Sequence, residues 1–399
     1  MTTKYVLILP DGAADDPLEQ FGGKTIIEAA HTPHMDAISL GGRLGLVQTV
    51  PKGFEPGSDV AQMSLLGYNP ATYYSGRAPI EAVAQDIPLG PTDWVFRCNL
   101  VTLSDGKMAD HSAGHISTPE AQTLIQEMAE QVTDDRLQFH TGVSYRHLMV
   151  CRGMDFDCYT HPPHDHVGKA VEKLLPRGKG ADLLKGLIHQ SMTLFEDHAI
   201  NKIRRDLGEN SVSSIWLWGQ GRKTMMDSFQ KKYGLTGATI TAVDLVRGLA
   251  KLVGFDLIEV EGATGFYDTN YQGKAEAAIE ALKTHDFVFV HIEGPDEAGH
   301  QGNAPVKVKA VERIDKEIVG PVMQALKQYD QWRVLVMPDH PTPVMTGAHT
   351  SDPVPFAMAG TGIKPIMQKP FSETCAKDSG FRIEKGHELM EYFIKSSSR

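Results

Sequence analysis

The stretch FVFVHIEGPDEAGH, from Phe287 to His300, is an apolar run that ends in acidic and imidazole side chains. Because it is rich in β-branched and aromatic residues and is followed by Gly and Pro, it predicts a buried strand and then a turn. Asp296 follows this strand, and His300 comes four residues later. Asp and His are common in loops, so this pair alone does not distinguish a functional site from an ordinary loop. Other segments of the chain are needed for that distinction.

Two other apolar runs end in the same way. KYVLILPDG reaches Asp11, and WRVLVMPDH reaches Asp339 and His340. Runs that are hydrophobic throughout, without alternation, indicate strands buried on both faces of a mainly parallel sheet flanked by helices. GKAEAAIEALKTH and NAPVKVKAVERIDKEIVGPVMQALKQY have apolar residues at helical spacing and predict the crossover helices. The class is therefore α/β, and ligands of such sheets bind at the carboxyl ends of the strands, where these acids fall.

Length and composition limit the possible classes of protein. A chain of 399 residues is longer than a single hydrophobic core usually supports. Its composition, with 41% hydrophobic and 22% charged residues, is typical of a soluble globular protein. No apolar segment approaches the ~20 residues that span a bilayer, and the N-terminus lacks the pattern of a signal peptide, so a cytoplasmic location is expected. The net charge of −11 argues against nucleic-acid and membrane partners. The four cysteines have no Cys-x-x-Cys spacing and are interpreted as free thiols.

The middle of the chain has a different character. FRCNLVTL and YRHLMVC predict strands, STPEAQTLIQEMAEQV predicts a helix, and Gly- and Pro-rich joints separate them. We expect residues 91–235 to form an inserted, smaller α+β domain. Residues 1–90 and 236–399 would then form the core.

The strand-end residues, with one more histidine from DHPTPVMTGAH, provide three carboxylates and three imidazoles. They are Asp11, Asp296, His300, Asp339, His340 and His349. This mixed set suits Mn²⁺ or Zn²⁺, with Mg²⁺ or Co²⁺ as alternatives. Six ligands exceed the needs of one ion with an open position, and two ions about 3.5–4 Å apart would use them all. The competing interpretation is that the acids cap helices and that the histidines belong to a polar loop.

FEPGSDVAQMSLLGYNP offers a nucleophile for such a site. Ser58 precedes a helical apolar pattern and is predicted at a helix N-terminus, where serine is also a common cap. A hydroxyl held by a metal ion loses its proton more easily, and amides at a helix start stabilise phosphate oxygens. Both interpretations of Ser58 are compatible.

These residues resemble the alkaline phosphatase superfamily, specifically its cofactor-independent phosphoglycerate mutases of the archaeal type. The resemblance extends through nearly the whole chain. The matching blocks are PDG, PGSDVAQMSLLGYNP, YYSGRAPIEA, GHIST, SYRHLMV, TNYQGKAEAA, PDEAGH and PDHPTP. An alkaline-phosphatase-like core is therefore expected.

The resemblance implies a glycolytic isomerase that interconverts 3-phosphoglycerate and 2-phosphoglycerate without bisphosphoglycerate. It implies one ion at Asp296, His300 and His349, and a second at Asp11, Asp339 and His340 with Ser58 as the bridging nucleophile. Ser58 would take the phosphoryl group, the glycerate would turn, and its other hydroxyl would take the group back. The inserted domain would cover the substrate and keep water from the phosphoserine.

A small phosphorylated acid needs cations, and the matching segments contain several. The candidate cations are Arg77, Arg146, Arg222 and Lys274, with His111, His115, His164 and Asp165 as polar partners in substrate binding. Many archaeal-type mutases have an arginine-bearing block resembling LRGAG where this chain has IWLWGQGR, with Trp218 in place of the arginine. That block resembles a bacterial subgroup proposed as homoserine kinases, and Arg222 is the candidate for replacing the lost charge.

Three alternatives remain open from the sequence. A kinase-like phosphotransferase acting on homoserine would need a nucleotide, and FGGKT lacks the first glycine of a P-loop. A metal-dependent phosphatase would differ only in letting water reach the phosphoserine. A binding scaffold without activity would leave the ligand set and Ser58 unexplained. The oligomeric state cannot be read from the sequence.

Overall fold

The computed structural model describes residues 3–396. Its strands are β1 (Lys4–Pro10), β2 (Arg43–Val47), β3 (Trp94–Ser104), β4 (Lys107–Asp110), β5 (Leu137–His140), β6 (Arg146–Cys151), β7 (Asp157–Tyr159), β8 (Arg177–Lys179), β9 (Ser214–Arg222), β10 (Gly237–Ile240), β11 (Asp256–Leu257), β12 (Phe287–Ile292), β13 (Trp332–Val336), β14 (Val354–Gly360) and β15 (Arg382–Ile383).

The α-helices are α1 (Ile26–Ala29), α2 (Pro33–Leu40), α3 (Ser58–Leu65), α4 (Pro70–Tyr73), α5 (Arg77–Ala84), α6 (Thr118–Glu130), α7 (Val171–Leu174), α8 (Ala181–Glu196), α9 (Ala199–Asp206), α10 (Phe229–Tyr233), α11 (Asp244–Val253), α12 (Tyr271–Ala281), α13 (Gly294–His300), α14 (Ala304–Ile314), α15 (Gly320–Leu326), α16 (Glu373–Asp378) and α17 (Leu389–Lys395). Short 3₁₀ helices cover Glu19–Phe21, Pro163–His166 and Gly386–Glu388, and a π-helical turn covers Asp315–Val319. None of the helices among residues 3–396 combines the length and the hydrophobicity that a membrane-spanning helix needs.

The chain divides into two compact units. Ser75–Thr224 forms one, named here the inserted unit, and the described residues on either side of it form the core unit. The bounds predicted from the sequence are 91 and 235. Helix α5, which lies before 91, contributes Ala78 and Ala82 to a cluster with Val95 of β3. Phe229, which lies before 235, packs instead on Phe287 of the core sheet.

The core unit contains an eight-stranded sheet in the order β11-β10-β12-β1-β13-β14-β2-β15. The pairings from β11 to β13 are all parallel, whereas β14 runs antiparallel to both of its neighbours. The three apolar runs of the sequence are the adjacent strands β12, β1 and β13, and every residue of β12 is buried. The predicted α/β class with a mainly parallel sheet is confirmed, and the carboxyl ends of these three strands meet at one edge.

The predicted crossover helices are confirmed as α12 before β12, and as α14 and α15 before β13. Helices α14 and α15 are joined without a break by the π-helical turn at Asp315–Val319. The buried carboxylate of Asp315 accepts hydrogen bonds from the backbone N–H groups of His34 and Met35, at the first turn of α2. The turn thus presents an acid to a helix N-terminus, where negative charge is stabilising.

The inserted unit is built on an antiparallel sheet. β3 lies between β6 and β9, with β5 beyond β6, and β4 pairs with the end of β3. Helices α6 and α8 contribute to a hydrophobic cluster with Phe96, Cys98 and Leu100 of β3. The next residues of β3 in alternation, Arg97 and Asn99, therefore belong to the opposite face of the sheet.

The pH dependence of stability is expected to change in Glu373→Gln. Burial raises the pKa of Glu373 to about 7 from 4.5, so the folded state binds more protons than the unfolded state between these values and loses stability as pH rises through them. Gln keeps an acceptor for the Thr25 hydroxyl, which lies 2.7 Å from the Glu373 carboxylate. We expect a gain on the order of 1 kcal/mol at pH 8 that disappears near pH 4, measured by urea unfolding. An equal change at both pH values would contradict the assignment.

Candidate metal centre

The strand-end acids and histidines meet at the carboxyl edge of the core sheet. Asp11 follows β1, and Asp339 with His340 follows β13; all three side chains are fully buried. Asp296 and His300 lie one turn apart on α13, which follows β12 directly. The sheet order therefore brings residues together that are separated by more than 300 positions in the chain.

One group consists of Asp296, His300 and His349. The Nε2 atoms of the two histidines lie 2.9 Å apart. The Asp296 carboxylate lies 3.1 Å from His300 Nε2 and 3.4 Å from His349 Nε2. His300 donates from Nδ1 to the carbonyl of Gly347 at 2.8 Å, which leaves Nε2 to face the group. Two imidazole nitrogens converging on one carboxylate fit a shared divalent cation, because both can act as ligands at once.

The electrostatics of this group agree with cation binding. Burial alone would raise the pKa of Asp296, but hydrogen bonds from His300 and His349 hold it well below its ordinary value. Burial alone would lower the pKa of His300, but the Asp296 carboxylate raises it to about 9. A bound cation would take the place of the proton on His300.

A second group surrounds the side chain of Ser58. Ser58 Oγ lies 3.0 Å from His340 Nε2, and that nitrogen lies 3.5 Å from both Asp11 Oδ1 and Asp339 Oδ2. Asp11 Oδ1 is buried and accepts no hydrogen bond from the residues that the structure describes. Such an orphaned carboxylate oxygen fits a cation, since a buried charge needs a partner. One potential ligand atom of Asp296 also lies within 4.8 Å of those of Asp11 and His340, so Asp296 adjoins both groups.

Crowding of acids shifts the pKa values of the second group. Burial, followed by the charges of Asp339, Glu293 and Asp296, raises the pKa of Asp11 well above its ordinary value. Burial lowers the pKa of His340 and favours the neutral imidazole that binds metal ions. Divalent cations would relieve the repulsion among these carboxylates.

Ser58 is the first residue of α3, as the sequence predicts. Its neighbour Asp59 points elsewhere, since its carboxylate accepts from the Tyr74 hydroxyl at 2.6 Å. Ser58 therefore combines a helix N-terminus with an imidazole and two carboxylates. This combination suits a nucleophile that must lose a proton beside an anionic group.

Sequence reasoning missed the side chains that hold the acids in place. Gln62, one turn after Ser58, donates from Nε2 to Asp11 at 2.9 Å and to Asp339 at 3.1 Å. His291 donates to Asp11 at 2.7 Å, and Thr342 donates to Asp296 at 2.5 Å. His291 lies in FVFVHIEGPDEAGH and Gln62 lies in FEPGSDVAQMSLLGYNP. Their proximity in the sequence to Asp296 and Ser58 was the only indication of a role in the site.

Gln62→Leu is expected to weaken the binding of one metal ion by about 10-fold, as typical for the loss of a residue that orients a ligand. The single amide of Gln62 joins Asp11 and Asp339, and without it these carboxylates lose a shared donor. Titration with Mn²⁺ measures the affinity. Gln272→Leu on the exposed face of α12 is the control, and equal affinities in both variants would contradict this role.

Among the substrate candidates, Lys274 is the one that lies in the core unit. It is 1% exposed, and its ammonium donates to the backbone carbonyl of His291 at 2.9 Å. Burial lowers its pKa to about 8. Lys274 thus lies next to the His291 that holds Asp11.

The remaining candidates lie in the inserted unit, where the structure brings some of them together. The His111 ring lies 5.7 Å from that of Tyr145 and 6.1 Å from that of His164, and the Arg146 guanidinium stacks on Tyr145 at 4.8 Å. Asp165 follows His164 in the 3₁₀ helix, Arg77 begins α5, and His115 lies 6.0 Å from Tyr145.

Arg222 has other partners within the inserted unit. It binds Asp155 at 2.9 Å and stacks on Trp94 at 4.8 Å. In the register of β3 and β9 it pairs with Trp94 at the start of β3, whereas Arg146 pairs with Asn99 in the middle of that strand. Arg222 therefore lies away from the Tyr145 cluster.

Comparison with known proteins gives a consistent result. The family model described as 2,3-bisphosphoglycerate-independent phosphoglycerate mutase matches residues 40–201. Proteins with that name from Methanosarcina acetivorans and Methanosarcina mazei are 47% and 48% identical, over 98% of this chain and 100% of each relative. A probable one from Geobacter sulfurreducens is 46% identical over 98% of this chain and 99% of its own.

Solved structures extend the comparison to the fold. The PH0037 protein from Pyrococcus horikoshii has a TM-score of 0.83 at 29% identity, over 100% of this chain and 99% of its own. The cofactor-independent phosphoglycerate mutase from Thermoplasma acidophilum has a TM-score of 0.65 at 26% identity, over 99% of each chain. The resemblance drawn from the sequence motifs is confirmed. The chain belongs to the family of 2,3-bisphosphoglycerate-independent phosphoglycerate mutases.

Proposed function

We propose that this protein interconverts 3-phosphoglycerate and 2-phosphoglycerate without bisphosphoglycerate, and that the phosphoryl group passes through Ser58. The observation that carries the proposal is the position of Ser58 Oγ, 3.0 Å from His340 Nε2, which in turn lies 3.5 Å from the orphaned oxygen of Asp11. Relatives that bear the name of this activity support the substrate, since they are 42–48% identical over nearly the whole chain.

Two divalent ions are part of the proposal, Mn²⁺ or Zn²⁺ before Mg²⁺ or Co²⁺. Asp296, His300 and His349 would hold one ion. Asp11, Asp339 and His340 would hold the other next to Ser58. The imidazoles favour the first two metals, because Mg²⁺ prefers oxygen ligands. When bound, the ions would neutralise charge on the transferred phosphoryl group and favour the ionised form of the Ser58 hydroxyl.

In the forward direction, the Ser58 hydroxyl loses its proton and Oγ forms a bond to phosphorus as the bond from phosphorus to the 3-hydroxyl oxygen of the substrate breaks. The glycerate keeps that oxygen and takes up a proton. Its 2-hydroxyl then loses a proton and attacks phosphorus, the bond to Ser58 Oγ breaks, and Oγ takes up a proton again. The amides at the start of α3 would stabilise the phosphoryl oxygens in both steps.

The candidate substrate-binding residues complete the proposal. We assign substrate binding to Arg77, His111, Arg146, His164, Asp165, Arg222 and Lys274, with Arg222 the weakest member because Asp155 and Trp94 already engage it. A mutase must also keep water from phospho-Ser58. We assign that role to the inserted unit.

The test separates the three enzymatic alternatives by their products. Mn²⁺-loaded protein is incubated with 3-phosphoglycerate alone, and the quenched products are resolved by ion chromatography. A mutase gives 2-phosphoglycerate with little inorganic phosphate, whereas a phosphatase gives inorganic phosphate. A kinase would give no product from 3-phosphoglycerate but would form phosphohomoserine from homoserine and a nucleoside triphosphate. That pair of results would replace the proposal with a kinase.

A further inference from the structure

Three arginines are buried among residues 3–396, and one of them differs from the other two. Arg204 and Arg333 are 2% and 9% exposed. Each donates hydrogen bonds from all three of its guanidinium nitrogens, mostly to backbone carbonyl oxygens. Arg97 is 5% exposed but donates from Nε alone, to Glu81 at 2.8 Å. Its two terminal nitrogens have no acceptor among the described residues.

The guanidinium of Arg97 is nevertheless held in a defined orientation. It stacks on the indole of Trp218, with its central carbon 4.4 Å from the ring centroid. Trp218 is fixed in turn, since its Nε1 donates to Asn99 Oδ1 at 3.1 Å. The second oxygen of Glu81 accepts from Arg77 Nε at 2.8 Å, so this carboxylate joins two guanidiniums. Stacking on one side and pairing at Nε leave the edge with the two terminal nitrogens available for a planar acceptor.

Burial acts against the charge of Arg97. It lowers the pKa of Arg97 to about 10, and the nearby Arg77 and Arg146 lower it further, although Glu81 opposes this shift. A guanidinium that is 5% exposed and has two nitrogens without an acceptor among the described residues calls for an explanation. A bound anion would supply the missing acceptors and favour the charged form of Arg97.

We propose that Arg97 is an anion-binding residue of the inserted unit and takes a carboxylate, with Trp218 as its positioning residue. A carboxylate has two coplanar oxygens that match the free edge of the fork, and its negative charge favours the charged guanidinium. The inference rests on the proposed function, under which the ligand is the carboxylate of the glycerate. The phosphoryl group, with its higher charge, belongs to the metal centre.

The test measures binding to the full-length, Mn²⁺-loaded protein by calorimetry, with D-glycerate and inorganic phosphate as separate probes. Arg97→Lys keeps a cation for Glu81 but removes the fork. We expect it to weaken D-glycerate binding by about 10- to 100-fold and to leave phosphate and Mn²⁺ binding within about 2-fold. Arg136→Lys, at an exposed pair with Asp134, is the control and should change none of these.

Variants of Trp218 test the positioning role. Trp218→Phe keeps an aromatic face and should retain D-glycerate binding within about 3-fold, whereas Trp218→Leu should lose about 10-fold. An equal loss in both variants, or a loss of phosphate binding in Arg97→Lys, would overturn the assignment, and so would a wild-type protein that does not bind D-glycerate. If D-glycerate binding depends on Arg97 but no phosphoglycerate is turned over, this inference stands and the proposed mutase activity fails.

Discussion

Ser58→Ala is expected to abolish phosphoryl transfer, with a loss on the order of 10⁴-fold or more, because no other group replaces a covalent nucleophile. Mn²⁺ binding should remain largely intact, since Asp11, Asp339 and His340 are unchanged. Only Ser58 Oγ, 3.0 Å from His340 Nε2, is lost. Turnover is measured by coupling the formation of 2-phosphoglycerate to the next enzyme, and Mn²⁺ content is measured on the same preparation.

Ser64→Ala provides a matched control on the same helix. Ser64 is fully buried, and its hydroxyl has no hydrogen-bond partner among the described residues. Its removal should leave turnover close to that of the wild type. Turnover retained in Ser58→Ala, with 2-phosphoglycerate still formed, would exclude the covalent route.

Asp339→Asn is expected to reduce the metal content from two ions per chain to one. Asp339 Oδ2 lies 3.5 Å from His340 Nε2, in the group that surrounds Ser58. Its other oxygen accepts from the backbone N–H groups of Gly12 and His340. Asn keeps an acceptor but loses the charge, so we expect the affinity of this site to fall by about 100-fold or more. Mn²⁺ titration with elemental analysis measures both sites.

His349→Ala is the complementary variant. Its Nε2 lies 2.9 Å from that of His300, in the other group. It should weaken binding of the ion at Asp296, His300 and His349 and spare the ion at Asp11, Asp339 and His340. Equal loss at both sites in either variant would contradict the division of the ligands into two groups.

The positions of the strand ends were predictable because the local sequence indicates which segments are buried strands and where each strand ends. The apolar runs that lead to Asp11, Asp296 and Asp339 predict parallel strands, and parallel strands align their carboxyl ends. The structure confirms the sheet, with β1 between β12 and β13. Ser58 at the start of α3 follows from its local pattern in the same way.

The residues that support the site could not be predicted because their role arises from tertiary contacts. Gln62 reaches both Asp11 and Asp339, which are 51 and 277 positions away. In a helix pattern, such a glutamine is typical of a solvated face. Arg97 lies within an apolar strand sequence, and only the pairing of β3 with β9 places it on Trp218.

The bounds of the inserted unit depended on packing as well. The segment Arg77–Ala84 reads as an ordinary amphipathic helix, and nothing local says which core it joins. The pairing of Glu81 with Arg97 connects it to the inserted unit. Packing of this kind decides which unit a helix belongs to.

The most direct test of phosphoryl transfer through Ser58 is a rapid-quench experiment with 3-phosphoglycerate carrying a ³²P-labelled phosphoryl group. Mn²⁺-loaded protein is mixed with this substrate in a single turnover, quenched in acid and digested. We expect label on the peptide that contains Ser58, appearing before 2-phosphoglycerate and decaying as it forms. Label on a different residue, while 2-phosphoglycerate forms at the full rate, would contradict the account.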